Sequence, residues 1–543
     1  LWILQLVSDE FPRKFFWRFP AIVLLIIALA AAQLLPFLDL AAHSQRQAGY
    51  ADLRWSMPGT GWINLLVPMF AGHTGTEGIF FQPGQYWTSS YYLGLGCLWL
   101  ALVAVIGFRT SGDARRKILL LAALAAVAFI FALGENTPVL PALRRFLPQL
   151  ALVTYPVKYF LLVTFIAPLL AAFGLSRLEN LRRPTIGIGI VLFLLIAAIL
   201  AWLWKFQPAG DETRTALLNG WSRLGFLAVI AAILVGSMKA SGSPLVRITT
   251  PLLLALIAWV DVLTHEPTQN PTVTPNVFAP NLAREDLKMQ PQPELGRSRA
   301  MVSPKAYLGF IHLSLPDPKN NFLAKRLGYC ANCNLLDGVP KVDGFFSLSL
   351  REYDDVFSLM YSATNEFDGL ENFLGVSQIT APDQVFHWRA RTNYLPLVTA
   401  GQLPVFLDDA DTLAALAQPG FDGSKVVFLP RDTRLPMSIT NRSNAQISGA
   451  KFDIDQVQFD AIAAAPALVV VAQSYDSNWR AFVDGRSTPL LRANDAFQAV
   501  EIAPGKHQVK LKYNDRAFEI GAAISLATLL FFLGVLALPR KPA

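Results

Sequence analysis

The sequence predicts a polytopic α-helical membrane bundle of about eight spans, with a large extracytoplasmic α+β region that ends in a β-sandwich. Three observations predict it. Of the 543 residues, 53% are hydrophobic and only 16% charged, against about 25% charge in an ordinary soluble chain. The apolar residues gather into long runs in the first half and one more at the C-terminus. The stretch from 265 to 516 has ordinary polarity and no run long enough to span.

Crossing the hydrocarbon core takes about 20 apolar helical residues, and about 17 at the least. Runs of that kind centre on 19–37, 91–108, 118–134, 157–176, 185–204, 223–238, 247–264 and 517–538. Basic residues set the orientation. Arg13, Lys14 and Arg18 precede the first run, and Arg109, Arg115, Arg116 and Lys117 follow the second. Arg177, Arg182 and Arg183 follow the fourth, Lys239 and Arg247 the sixth, and Arg540 and Lys541 the last. With simple alternation all five clusters fall on one side, which the positive-inside rule makes the cytoplasm. The soluble region then faces outward. The net charge of +7 reflects this topology and not nucleic-acid binding.

These signals divide the chain into a helical bundle over 1–264, with external loops at 38–90 and 135–157. A mixed α/β region follows over 265–420, a β-sandwich over 421–516, and a last span with a short cytoplasmic tail over 517–543. In the first external loop, "WINLLVPMF" is too short to span and reads as interfacial or re-entrant. In the mixed region, "DDADTLAALAQ" reads as a helix capped by Asp408 or Asp409. In the last region, "PALVVVAQSY", "WRAFVDG", "STPLLRAN", "AFQAVEIAPG" and "KHQVKLKYN" read as strands split by turn signals. The alternation in "HQVKLKY" marks a half-buried antiparallel strand.

Cysteines number three, too few for a disulfide framework. Cys97 lies in an apolar run and reads as packed. Cys330 and Cys333 form one CxxC, which suits a local disulfide or two plain thiols, and zinc needs about four ligands. No P-loop, dinucleotide or zinc-protease motif is present. The chain starts on Leu1 with "LWILQLVS", which reads as the end of an earlier helix, so the natural N-terminus is expected to lie upstream.

The string "LVVVAQSYDSNWRAFVDGRSTPLLRANDAFQAVEIAPGKHQVKLKY", followed at once by a spanning run, resembles the end of YfhO-type bacterial membrane proteins. Trp479, Asp484, Gly485, Arg492, Ala493, Asn494, Pro504, Gly505, His507 and Tyr513 carry the resemblance. "AAQLLPFLDLAAHSQR" and "LGENTPVLPAL…YPVKYFLL" are similar to earlier family segments, with Asp39 where Glu is commoner. The resemblance implies a GT-C-like glycosyltransferase in the bacterial cytoplasmic membrane. Such enzymes move a sugar from a polyprenyl-phosphate carrier to a cell-envelope polymer outside the cytoplasm. A carboxylate base serves the acceptor, and a cation or divalent metal stabilises the departing phosphate. The main carboxylate of the family follows its first span, so it is expected upstream of this chain. A non-catalytic scaffold for a cell-wall polymer or partner protein, and a flippase for a lipid-linked sugar, are the rival readings. A flippase predicts inverted repeats and broken helices; no repeat is visible.

Lipid contact is implied throughout, and a phosphate at the outer leaflet needs cations there. Arg144, Arg145 and Lys158 lie on that side, with Lys158 just after Tyr155 at the head of a span. Snorkelling at an interface would account for the same residues. Asp39, with His43 and Arg46 behind it, offers a candidate base; an Asp–Arg pair at a helix end explains it equally. His73 is a candidate for sugar or phosphate contact, or plain polar surface. Asp261, within an apolar run, with His265 four residues on, could line a polar cavity or cap the helix end. Trp479, Tyr475 and Trp388 could stack on sugar rings, or belong to a core. The glycines of "YYLGLGC" read as sites of close helix packing.

Overall fold

The computed structural model describes residues 13–45, 55–74, 80–85, 88, 90–110, 112–147, 150, 155–206, 213–240, 243–265, 272–362, 367–382, 384–435 and 439–537. They form two compact units. One comprises 48–272 with the first fifteen residues; the other comprises 16–47 and 273–543.

In the first unit, helices Leu95–Ile106, Arg115–Ala132, Phe160–Leu175, Arg182–Phe206, Thr213–Lys239 and Pro244–Leu263 follow in order. Their shared core holds Leu95, Trp99, Val103, Leu170, Leu192, Ile196, Ile230 and Leu234. Small residues bring backbones close: a Cβ on Gly174 would lie 2.1 Å from the Leu100 carbonyl oxygen. Trp99 Nε1 donates to the Thr185 carbonyl at 2.8 Å, so the polar edge of this large ring is satisfied in the interior. Gly94, expected as a packing glycine, sits at φ +83 just before the helix. It makes the turn that starts Leu95–Ile106, a conformation Cβ-bearing residues rarely adopt. "WINLLVPMF" forms a 3-10 turn at Gly61–Leu65 held by Asn64, which accepts from Phe70 N at 3.0 Å. Strands β1 (His73–Thr74) and β2 (Phe80–Phe81) pair antiparallel beyond it.

In the second unit, helix Arg13–Leu29 (from Phe16 on) leads into Ala31–His43, which packs with the final helix, Arg516–Ala537. The expected span 19–37 is not one rod: it bends by 79° between Leu29 and Ala31. Ser525 on the final helix fills the break. Its Oγ donates to the Ala28 carbonyl at 3.2 Å and accepts from Ala32 N at 3.0 Å. Such a break is tolerated in lipid only when the freed backbone groups find partners. The approach is close because residue 521 is Gly; a Cβ there would meet the Ala31 carbonyl oxygen at 2.4 Å.

Among the described residues, five helices are long and apolar enough to cross a membrane, or six counting the bent pair. The expected total was about eight. Two of the expected runs account for the difference. Leu95–Ile106 has 12 residues, because Gly94 starts it late. Arg115–Ala132 has 18, three of them basic at its start.

The rest of the second unit is α/β and then β-rich. Strands β3 (Arg299–Met301), β4 (Val376–Ala381) and β5 (Gln384–Ala390) form one sheet, with β3 parallel and β5 antiparallel to β4. Next come β6 (Val398–Ala400), β7 (Leu403–Leu407) and β8 (Val426–Pro430). β7 and β8 pair in parallel across helix Asp409–Leu416. Asp408 takes the N-cap position of that helix without a side-chain cap bond; it pairs with Arg431 at 3.2 Å instead.

The remaining strands are β9 (Ala445–Phe452), β10 (Gln456–Ala463), β11 (Ala467–Ser474), β12 (Trp479–Val483), β13 (Arg486–Thr488), β14 (Leu490–Ala493), β15 (Phe497–Ile502) and β16 (Gly505–Tyr513). They make a five-stranded sheet in the order β13-β12-β16-β10-β9 and a four-stranded sheet in the order β14-β15-β11-β6. Val457, Phe459, Val509 and Leu511 from the first sheet share a core with Val469, Val471, Val500 and Ile502 from the second. On β16, Val509 and Leu511 are buried between exposed Gln508, Lys510 and Lys512, as the alternation predicts. The expected boundary at 420 is crossed twice, by β6 joining the late sheet and by the β7–β8 pair.

Candidate functional site

Within the first unit, three short segments build an aromatic and cationic cluster. Met57 N donates to the Ala132 carbonyl at 2.8 Å and Val157 N to the Trp55 carbonyl at 3.1 Å. Asn136 Nδ2 donates to the Met57 carbonyl at 2.7 Å. These bonds fix residues 55–57, 132–136 and 155–157 against one another. Lys158 sits in the 3-10 turn Pro156–Tyr159 that leads into Phe160–Leu175. Its Nζ lies 4.6 Å from the Tyr155 ring centroid, a cation–π distance. Trp55 packs edge-on against Tyr155 at 5.9 Å. Arg144, on helix Val139–Phe146, is 8% exposed and lies near Tyr159. Burial pushes the Arg144 guanidinium down from its ordinary pKa. Arg145, one position on, is exposed. Lys158 and Tyr155 thus stand together, and Arg144 approaches the same 3-10 turn at Tyr159. His73 stands exposed on β1, its ring 5.9 Å from Phe81.

Asp261 belongs to a closed network. It is fully buried and its oxygens are occupied. Oδ1 accepts from Arg223 Nη1 at 2.6 Å; Oδ2 accepts from Tyr92 OH at 2.7 Å and from Leu95 N at 2.9 Å. It thus caps the start of Leu95–Ile106 from another helix, supplying an acceptor that helix lacks locally. Arg223 Nη2 donates on to Thr264 Oγ1 at 2.7 Å, and its guanidinium lies 5.2 Å from the Tyr92 ring. His265 meets Ser90 Oγ at 3.3 Å. Through these bonds Asp261 positions helices. Arg223 was missed in the sequence, although a cation inside an apolar run signals a buried partner.

In the second unit, Asp39 ends helix Ala31–His43 beside the β11–β12 turn. Asn478 Nδ2 reaches its Oδ2 at 3.5 Å, and His43 Nδ1 lies 3.5 Å from Oδ1. The Asp39 side chain is 39% exposed. Burial raises the Tyr513 pKa, and the charges of Asp476, Asp515 and Asp39 add to it. Asp39, Asn478 and Tyr513 are thereby neighbours across most of the sequence. Trp479, read as a sugar contact or a core residue, is only 8% exposed and packs edge-on against Tyr513 at 5.6 Å. It is a core residue that anchors this corner. Tyr475 is half-buried. Trp388 stands on β5, edge-on to Tyr329 at 5.8 Å. Arg46 lies outside the described residues.

Among the described residues, no three His, Cys, Asp or Glu side chains gather as a metal site. Cys97 packs against the helical core. Cys330 and Cys333 are free thiols, and burial raises both pKa values.

The "VDG" and "PGKH" turns of the C-terminal string interlock. His507 Nδ1 and Asp484 Oδ2 lie 2.7 Å apart, and Gln508 N donates to Asp484 Oδ1 at 2.9 Å. Asp484 N donates back to the Gln508 carbonyl at 2.9 Å. Asp484 takes φ +51 and Gly485 φ +77, the two positive angles that a tight hairpin turn demands. Residues 435–525 match the family model described as bacterial membrane protein YfhO. This stretch is similar to the YfhO family. It covers β9 to β16 and enters the final helix, so the YfhO match spans soluble strands and membrane helix in one piece. Within the matched stretch, Asp484, Gly485 and His507 hold these two turns together. No curated protein and no solved structure matches the chain.

Proposed function

We propose that this membrane protein transfers a sugar from a polyprenyl-phosphate carrier to a cell-envelope acceptor. The cluster of Lys158, Tyr155 and Arg144 carries the reading. It supplies two cations and an aromatic wall at the head of a membrane-spanning helix, the place where a lipid-linked phosphate lies. In this reading Lys158 and Arg144 hold and neutralise the departing phosphate. A carboxylate takes the acceptor proton. A divalent cation could share the phosphate charge. The reading includes an inner-membrane location, eight crossings, a β-sandwich and an outward-facing soluble unit. The five basic clusters and the shared core of the two late sheets support those parts.

The test is a transfer assay on full-length protein with a panel of polyprenyl-phosphate sugars. Turnover that falls about 100-fold in Lys158→Ala, with unfolding temperature unchanged, is the expected result. Folded protein with no turnover on any donor would sink it. That outcome favours the rival reading of a non-catalytic scaffold, to which the closed Asp261 network also lends weight.

A further inference from the structure

A cleft of about 440 Å³ opens in the second unit between β3, the 332–346 loop and the end of β11. That size falls in the range of roughly 300–1,000 Å³ usual for small-molecule sites. Arg299 heads it. Nη1 donates to the Leu374 carbonyl at 2.9 Å and Nη2 to the Ala472 carbonyl at 2.7 Å. Those are dipoles and not charges. Among the described residues no carboxylate pairs with Arg299, and burial depresses its pKa. A guanidinium carries five N–H donors, so donors remain beyond these two bonds. The neighbouring cation offers nothing similar. Lys341 Nζ is fully engaged by Asp343 Oδ2 at 2.7 Å and by the Tyr329 and Ala331 carbonyls. The Lys341–Asp343 pair is neutral overall. One positive charge is therefore left over at the cleft wall.

The other lining groups are mixed. Phe346 is 60% exposed and lines the cleft, an apolar face of the kind that packs on the C–H face of a sugar ring. Gln473 and Ser474 add polar side chains, and Tyr353 spends its hydroxyl on the Val342 carbonyl.

We propose that this cleft binds a saccharide unit bearing one anionic group, with Arg299 pairing the anion and Phe346 covering the ring. A half-buried cation without a counter-ion favours a ligand that brings one. The anion can be a carboxylate or a phosphate; both match the guanidinium fork. The inference goes beyond glycosyl transfer, because a scaffold would use the cleft in the same way.

Binding to purified full-length protein in detergent is measured by calorimetry with glucose 1-phosphate, glucuronate, glucose and inorganic phosphate. Saturable binding of glucose 1-phosphate, glucuronate or both is expected, at least about ten-fold tighter than glucose. A preference between the first two assigns the anion. Arg299→Gln is expected to abolish the advantage of the charged sugars. Since Arg299 also bonds two carbonyls, Phe346→Ala provides an independent variant on an exposed side chain. It should weaken the charged sugars at least several-fold and leave inorganic phosphate unchanged. Equal binding of glucose and charged sugars, no binding of either charged sugar, or unaltered binding in Phe346→Ala would each overturn the proposal. None of these outcomes depends on turnover, so failure here is distinct from failure of the transfer assay.

Discussion

Arg223 and Asp261 meet at 2.6 Å with neither side chain exposed to solvent. The pair joins two membrane helices and, through Leu95 N, the start of a third. Removing one partner leaves a buried charge uncompensated, which costs about 3–5 kcal/mol. Asp261→Ala and Arg223→Ala should therefore each lower the unfolding temperature steeply. Replacing both should cost less than the sum of the two. Additive losses in thermal unfolding of purified protein would contradict the pairing.

The contact at Gly521 gives a graded pair of variants. Ser525→Ala removes one side-chain partner from the broken helix and should cost about 1 kcal/mol. Gly521→Ala places a Cβ against the Ala31 carbonyl and should cost more, about 1–3 kcal/mol, by forcing the helices apart. Unfolding in denaturant ranks the two; the reverse order would refute the close approach.

Asp495 predicts a pH effect in the second unit. Burial first, opposed by Arg492 and helped by Asp409, raises its pKa to about 7. The folded state thus holds the proton more tightly than the unfolded chain, whose pKa is about 3.9. The stability this gives is full below the unfolded value and is lost as pH rises from about 4 through about 7. Asp495→Asn should remove that slope. A stability difference between variant and parent that stays constant over this window would reject the assignment.

Asp422 acts in the opposite sense. Bonds from Lys425 and Ser424 lower its pKa to about 2. Its contribution is present above about 3.9 and disappears as pH falls through about 2. Asp422→Asn should flatten acid unfolding between those values, measured by circular dichroism.

Much of the β-rich segment was legible because period-2 alternation and Asp-Gly and Pro-Gly turns act locally. Val509 and Leu511 announce their burial in sequence alone. The bend at Ala30 was not legible, since the run 19–37 is apolar throughout and the partner that permits the break is Ser525. The late start of Leu95–Ile106 depends on one positive φ at Gly94. At the cationic cluster, the residue types of Lys158, Tyr155 and Arg144 were readable, but Trp55 comes from a distant loop, brought there by backbone pairing with Val157 and by its ring contact with Tyr155. For Trp479 the sequence left a sugar contact and a core place open, because a tryptophan beside turns reads alike in both; its ring packs on Tyr513.

The clasp around Ser525 has a consequence for biosynthesis. Ala32 and its partner are 493 positions apart. At about 5–20 residues per second the ribosome needs roughly 25–100 s to bring the second after the first. Over that interval the Ala32 amide lacks this acceptor, and an unsatisfied amide in hydrocarbon costs several kcal/mol. The bent helix pair thus completes its hydrogen bonding only once Ser525 has been made. Chains truncated before Arg516 should be degraded at the membrane rather than accumulate.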